Sequence, residues 1–381
     1  MKTKLHSLFI GLALLAGVHS TTAQVTNLGI APAPGGQSVL YWPVSTTNYV
    51  LQTTTNLAAP NWVTASNAVT VNAATVTNSA PAGFFRLLAT TNTTAGMVLI
   101  PAGSFIMGNY LFYDTATNDP DITDANPTNV YVSAFYMDVN LVSYGQWTNV
   151  YAYAASQGYN FVNAGEGKNM ATNQPAIVMD WFDCVKWCNA RSQQAGLTPV
   201  YYTDAGFTQV FTNGDNGTTV YQNLTTNGFR LPTEAEWEKA ARGGVAGNRF
   251  PWGNSISESQ ANYYGLTASY SYDLGPNGYN AIGKVGGTNP ATSPVGSFAP
   301  NGYGLYDMAG NVLEWCGDWY GTPYGQPTTN NPTGAGSGSG LRVVRGGSWG
   351  AGAKNLRCAT RASVTPSNGS SLCGFRCVRG L

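Results

Sequence analysis

The hydrophobic pattern along this chain changes character at three places. It opens with MKTKLHSLFIGLALLAGVHSTTAQ, where Lys2 and Lys4 precede an apolar run over residues 8–18. That run is too short to cross a bilayer, and the small residues Thr21, Thr22 and Ala23 behind it suit cleavage before Gln24. Residues 1–23 are therefore predicted to be a secretory signal. Over residues 24–89 the rhythm becomes short and β-prone. Runs at 38–42, 48–54, 61–64 and 84–88 are separated by turn-forming groups such as Pro34-Gly35-Gly36 and Asn56-Leu57-Ala58-Ala59-Pro60. This pattern predicts a small all-β domain. Apart from Arg86, its polar groups are chiefly hydroxyls and amides, so it reads as a packing or attachment module. The segment TTNTTAG at 90–96 reads as a linker, and a second domain occupies residues 97–381.

That second domain carries three helix signals. Ser143 can cap a helix running through Gln157, with Gly158 as its stop. Asp180 can cap a second, WFDCVKWCNARSQQA, ending at Gly196, and Cys184 and Cys188 then share one face at i, i+4. In FRLPTEAEWEKAARGG, Thr233 is the N-cap, Glu236 completes a capping box and Gly243 closes the helix. Glu236 is thus structural before it is a candidate for chemistry. The remainder alternates short strands with long Gly, Asn and Tyr-rich loops, which disulfides or bound calcium would hold. The fold class expected is α+β, with little regular secondary structure.

Composition narrows the chemistry. The 381 residues include 18 basic and 18 acidic side chains, and only 9% are charged, against about 25% in ordinary soluble proteins. No basic face for nucleic acid exists. The chain's two histidines, His6 and His19, both lie in the signal segment. A mature chain without histidine excludes Ser-His-Asp and Cys-His nucleophilic sites, His-ligated zinc and two-His-one-carboxylate iron. No later apolar run reaches about 18 residues, so no membrane span is expected in the mature chain. The six cysteines, Cys184, Cys188, Cys316, Cys358, Cys373 and Cys377, all fall in the C-terminal half. An even count in an exported chain points to disulfides, but does not fix their pairing.

MVLIPAGSFIMG, FRLPTEAEWEKAARGG, PWGN, NGYGLYDMAGNVLEW, RVVRGGSW and GFRCVRG occur in that order. Together they resemble the sulfatase-modifying-factor family, whose best-known member is the formylglycine-generating enzyme, over residues 97–381. The resemblance implies a C-type-lectin-like domain. It also implies an oxidase that uses oxygen and copper(I), held by two thiolates, to convert the cysteine of a Cys-x-Pro-x-Arg segment in a sulfatase to formylglycine. Copper(I) suits that role because it is soft. In the family those two cysteines follow the GGS-aromatic segment closely, and this chain has none between Gly346 and Asn355. Copper is therefore not an expected cofactor, and no catalytic residue is assigned.

The same resemblance implies further features. Cys188 and Cys377 match a family disulfide. Cys358 matches a structural cysteine whose partner position is Ala241, so that bridge cannot form in the usual way. Cys184 with Cys373, and Cys316 with Cys358, remain as further pairings; the last pair is also a candidate relocated copper site. A structural calcium is implied at Asp307, Gly310, Val312 and Glu314, with a buried hydrogen-bonded Glu314 as the alternative. A second calcium position involves Asn262, Tyr263, Asn277 and Tyr279, with Asn277 standing where the family has Asp and Asp273 able to compensate; an empty hydrogen-bonded loop is the alternative there. Ser348, Trp349, Trp315 and Trp319, with Tyr320 nearby, are candidates for a groove holding a peptide or sugar. Two functions follow. One is an exported family member, secreted, periplasmic or extracellular, resembling the oxidase but lacking its copper cysteines. The other is a non-catalytic C-type-lectin-like module that binds a peptide, glycan or partner protein.

Overall fold

A computed structural model describes residues 96–381 apart from 110–118, 285–290, 323, 325–327 and 337–339, together with the strand backbone within residues 29–89. The expected signal and all but the last residue of the expected linker lie outside the described residues. The chain divides into two compact units, Met1–Ala95 and Gly96–Leu381.

In the first unit, two antiparallel sheets are described. One has the order Gly29–Ala33, Gln37–Tyr41, Ala73–Thr77, Val69–Thr70, and the other Val63–Thr64, Tyr49–Thr54, Phe84–Ala89. Four of these strands coincide with the predicted runs. Gly29–Ala33, Val69–Thr70 and Ala73–Thr77 were not foreseen, because GIAPA and AATVT lack the bulky alternation that marks a strand and Val69–Thr70 is only two residues long. Pro32 is tolerated because its strand is at a sheet edge, where a missing N–H costs no ladder bond.

The second unit is C-type-lectin-like, with few helices and many small sheets. Its first and last strands, Met97–Ile100 and Val378–Arg379, flank Phe135–Asp138 in one antiparallel sheet, which brings the two ends of the domain together. Helix α1, Tyr144–Ser156, is capped by the Ser143 hydroxyl. Helix α2, Trp181–Gln194, is capped by the Asp180 carboxylate. Helix α3, Glu234–Ala241, has the full capping box between Thr233 and Glu236. All three starts fall where the sequence places them, because each depends on one local side-chain bond to a backbone N–H. α2 is buried nearly all round, as expected of a helix threaded through a core. Trp187 on α2 stacks on Trp147 of α1 with ring centroids 5.8 Å apart.

α3 is also the electrostatic hub. Glu234 takes a two-pronged bond from Arg361, Glu236 one from Arg230, and Glu238 bonds both Arg242 and Arg345. All of these side chains are buried or nearly so. Such pairs add little net stability over an apolar core, but removing one partner leaves a buried charge at a cost of about 3–5 kcal/mol. They tie distant loops to one helix. Beside α3 lies a four-stranded sheet in the order Ala362–Val364, Arg342–Arg345, Leu313–Trp319, Cys373–Gly374, and it positions the candidate site.

Candidate functional site: a cleft floored by glycines

The strand Arg342–Arg345 runs directly into Gly346, Gly347 and Ser348, which floor a cleft of about 220 Å³. The two glycines are required. Their φ angles are +92° and +72°, a region L side chains avoid, and a Cβ at Gly347 would sit 2.7 Å from Leu356 Cδ1. The loop is pinned by backbone bonds from Gly310 to Gly346, from Trp349 to Asn311, and from Tyr264 to Ala351, at 2.8, 2.8 and 2.9 Å. Apolar walls come from Leu313, Val344, Ala362 and Leu372. Val344 and Ala362 are cross-strand partners, so one sheet face forms a wall. Ser348, Asn355 and Thr360 supply polar points.

Arg345 is the one charged residue in the lining among the described residues, and it is fully buried. Its guanidinium is committed to Glu238 at 2.6 Å and to the carbonyls of Cys358 and Thr360, with Glu234 at 3.7 Å. Its Nε has no hydrogen-bond acceptor. Trp349 lies half-buried at the rim, 6.0 Å from the Tyr279 ring, which in turn meets Tyr264 edge to face at 4.6 Å.

Of the predicted groove residues, Ser348 lines the cleft and Trp349 edges it. Trp315 does not belong to the groove. The strand Leu313–Trp319 is buried along its middle, and Trp315 is wholly in the core. Trp319 is likewise not part of the lining: it stacks on the Arg342 guanidinium, which it shares with Trp181 at 3.4 and 3.7 Å. Tyr320 is hydrogen-bonded to Asp124 and stacked by Arg361. The sequence reading missed the walls and Arg345. The short β-prone run RVVR ahead of paired glycines was the available signal.

No thiol lines the cleft, and all six cysteines are buried as free thiols. Cys188 and Cys377 face each other with sulfurs 3.5 Å apart. Cys184 and Cys373 pack in the same apolar cluster, whereas Cys316 and Cys358 lie in another that also contains Ala241. Burial pushes the thiols of Cys184, Cys188 and Cys316 well above their usual range, Cys373 up to about 12 and Cys358 to about 11.

The first calcium set forms one buried cluster. Arg376 grips both Glu314 oxygens at 2.7 and 3.0 Å, and the Gly296 N–H donates to Asp307 at 2.8 Å. Burial, with a smaller push from Glu314, raises the Asp307 carboxyl to about 6. Two carboxylates thus share a single guanidinium. The carbonyls of Gly310 and Val312, both buried, accept no hydrogen bond among the described residues. A surplus negative charge beside orphaned carbonyls fits a hard cation, and Glu314 retains free lone pairs for it.

The second set fits poorly. Both oxygens of Asp273 are spent on the Tyr263 hydroxyl and the N–H groups of Leu266 and Gly275. Asn277 Oδ1 accepts from Thr267, and Tyr279 is paired with Tyr264 in a short ladder. The Asn262 amide donates to the Ala291 carbonyl. The hairpin is held by hydrogen bonds. Among the described residues no three acidic, cysteine or histidine side chains are grouped as a metal site.

A lectin-like domain whose sheet opens into a glycine-floored cleft defines the class of protein. Comparison with known proteins then places it. Residues 85–381 match the sulfatase-modifying factor enzyme 1-like domain, and the chain belongs to that family. It is 34% identical to a formylglycine-generating enzyme of Mus musculus over 297 residues, covering 74% of each chain. It is 33% identical to one from Thermomonospora curvata, covering 74% of this chain and 93% of that one. Among solved structures, Treponema denticola variable protein 1 aligns with a TM-score of 0.57 at 27% identity, over 75% of this chain and 95% of its own. PvdO from Pseudomonas aeruginosa aligns at 0.53 and 26%, over 75% and 94%. No helix among the described residues is long and apolar enough to cross a membrane.

Proposed function

We propose that this chain is an exported, calcium-stabilised family member that binds a protein or peptide segment in the cleft, and that it lacks the copper-dependent oxidase activity for which its relatives are named. One observation carries the reading: the loop that frames the cleft is intact, yet it contains no thiol, and none of the chain's six cysteines belongs to the cleft lining. Copper(I) without thiolates has no suitable ligand in a cleft of aliphatic, hydroxyl and amide groups. What remains is shape, with apolar walls and a few fixed polar points, which is the composition of a binding site.

Asp307 and Glu314, with the Gly310 and Val312 carbonyls, would hold calcium. The ion would supply fixed positive charge that rigidifies the turn from which Gly310 donates to Gly346 at the cleft floor. The facing Cys188 and Cys377 would close as a disulfide in an oxidising compartment. A signal over residues 1–23 would deliver the chain there.

The test is direct. Purified chain, loaded with copper(I) under oxygen, is incubated with a Cys-x-Pro-x-Arg peptide and the peptide is weighed by mass spectrometry. Unchanged peptide is expected. Conversion of its cysteine to the aldehyde would overturn the reading.

A further inference from the structure

Taking the cleft as a binding site, we infer that its ligand is an uncharged peptide segment: an aliphatic side chain enters the cleft, a backbone carbonyl meets the Ser348 hydroxyl, and a proline or aromatic ring rests on Trp349 and Tyr279.

Charge is the first argument. Arg345 is neutralised by Glu238 and Glu234, and no other ionisable side chain lines the cleft. The neighbouring stretch, residues 259–283, contains a single charged residue, Asp273, which is 3% exposed and bonded internally. An arginine brought into the cleft would lose water and find no carboxylate in the lining. The chemistry of this surface therefore opposes the arginine of a Cys-x-Pro-x-Arg segment.

The second argument is an unspent polar group. The Ser348 hydroxyl, in the cleft lining and 2% exposed, makes no hydrogen bond to a described residue. A buried donor left unpaired costs about 1–3 kcal/mol, and a neutral carbonyl oxygen would recover that cost without adding charge.

The third argument separates a peptide from a glycan. Sugars are held by flat aromatic faces together with planar polar groups that grasp hydroxyls. Here a branched aliphatic, Leu266 at 36% exposure, lies beside Gly352 at the end of the cleft loop, and the carboxylate nearby is already spent. The hairpin that presents it is locked by Asp273, so the surface is preorganised and binding costs little ordering entropy. Rigid aromatics among Ser, Asn and Gly are the composition that protein-binding loops favour.

The experiment is selection from a displayed random-peptide library on the full-length chain, followed by affinities of the enriched peptides. Gly350→Trp fills the cleft from an exposed position where an added Cβ meets only Leu372 Cδ2 at 3.7 Å. Trp349→Ala removes the rim stack. An unchanged melting temperature and near-ultraviolet spectrum certify each variant as folded. Expected are uncharged binders that pair aliphatic residues with proline or an aromatic, weakened at least tenfold by each variant. Charged binders that Gly350→Trp abolishes would overturn the ligand class and leave the cleft as a binding site. Binders indifferent to Gly350→Trp, or no binders alongside an enriched neutral glycan from an oligosaccharide array, would overturn the peptide assignment. Indifference to Gly350→Trp would also remove the cleft itself as the binding site.

Discussion

Asp318 is the residue whose environment makes the sharpest claim on stability. It sits in the strand Leu313–Trp319, is 4% exposed, and accepts a bond from the Glu234 N–H at 3.0 Å. Burial, reinforced by Glu234 and Glu236 and opposed by Arg342, pushes its carboxyl up to about 8. An unfolded aspartate titrates near about 3.9, so between these values the folded chain keeps a proton the unfolded chain has released. Folded stability from this group is therefore full in acid and falls as pH rises from about 4 to about 8. At about 1.4 kcal/mol per pH unit the upper bound is about 6 kcal/mol, and relaxation with water entry reduces it to about 2–4. Asp318→Asn keeps an acceptor for the Glu234 N–H and never ionises. Urea unfolding followed by tryptophan fluorescence, at constant ionic strength, should bring the two proteins to nearly equal stability as pH falls to about 4, the unfolded pKa. Near pH 9 the asparagine variant should be more stable by about 2–4 kcal/mol. The other raised carboxyls, Asp180 at about 7 and Asp307 at about 6, add to the decline in both proteins and cancel in the comparison. A difference that does not change with pH, or a variant weaker than wild type near pH 9, would refute the reasoning.

Three further outcomes test the framework. Chelating calcium should lower the melting temperature, because an ion at a hundred times its Kd stabilises the native state by about 2.7 kcal/mol; an unchanged transition would remove calcium from the Asp307 cluster. Glu314→Ala should cost about 3–5 kcal/mol in urea unfolding by stranding the buried Arg376, while Ser348→Ala should be nearly silent for folding, and the reverse pattern would misplace the structural site. Peptide mapping without reduction, after alkylation of free thiols, should recover Cys188 linked to Cys377 from protein exported to an oxidising compartment, and both recovered alkylated would exclude the bridge.

What the sequence disclosed, and what it concealed, divides along the range of the interactions. The helix starts at Ser143, Asp180 and Thr233 depend on contacts three residues long, so residue type and spacing suffice to read them. The paired glycines at 346 and 347 were likewise legible as a shaped loop. Trp315 was misplaced because alternation assigns a side chain to a face but does not say which face is covered. The segment Leu313–Trp319 looks like a rim strand in sequence, and is buried between α3 and Arg342–Arg345 in the fold. Arg345 was passed over for the same reason. In sequence it is one of two arginines around Val-Val. In the structure its charge is absorbed by Glu238, which lies 107 positions earlier. No local pattern reports that neutralisation, which holds the arginine in the core behind the cleft. The strand that supplies the cleft wall is therefore anchored by long-range ion pairing to α3. That yields one more consequence: Glu238→Gln would weaken the grip on the buried Arg242 and Arg345 together and should cost about 3–5 kcal/mol in urea unfolding, and an unchanged transition would remove α3 as the anchor of this sheet.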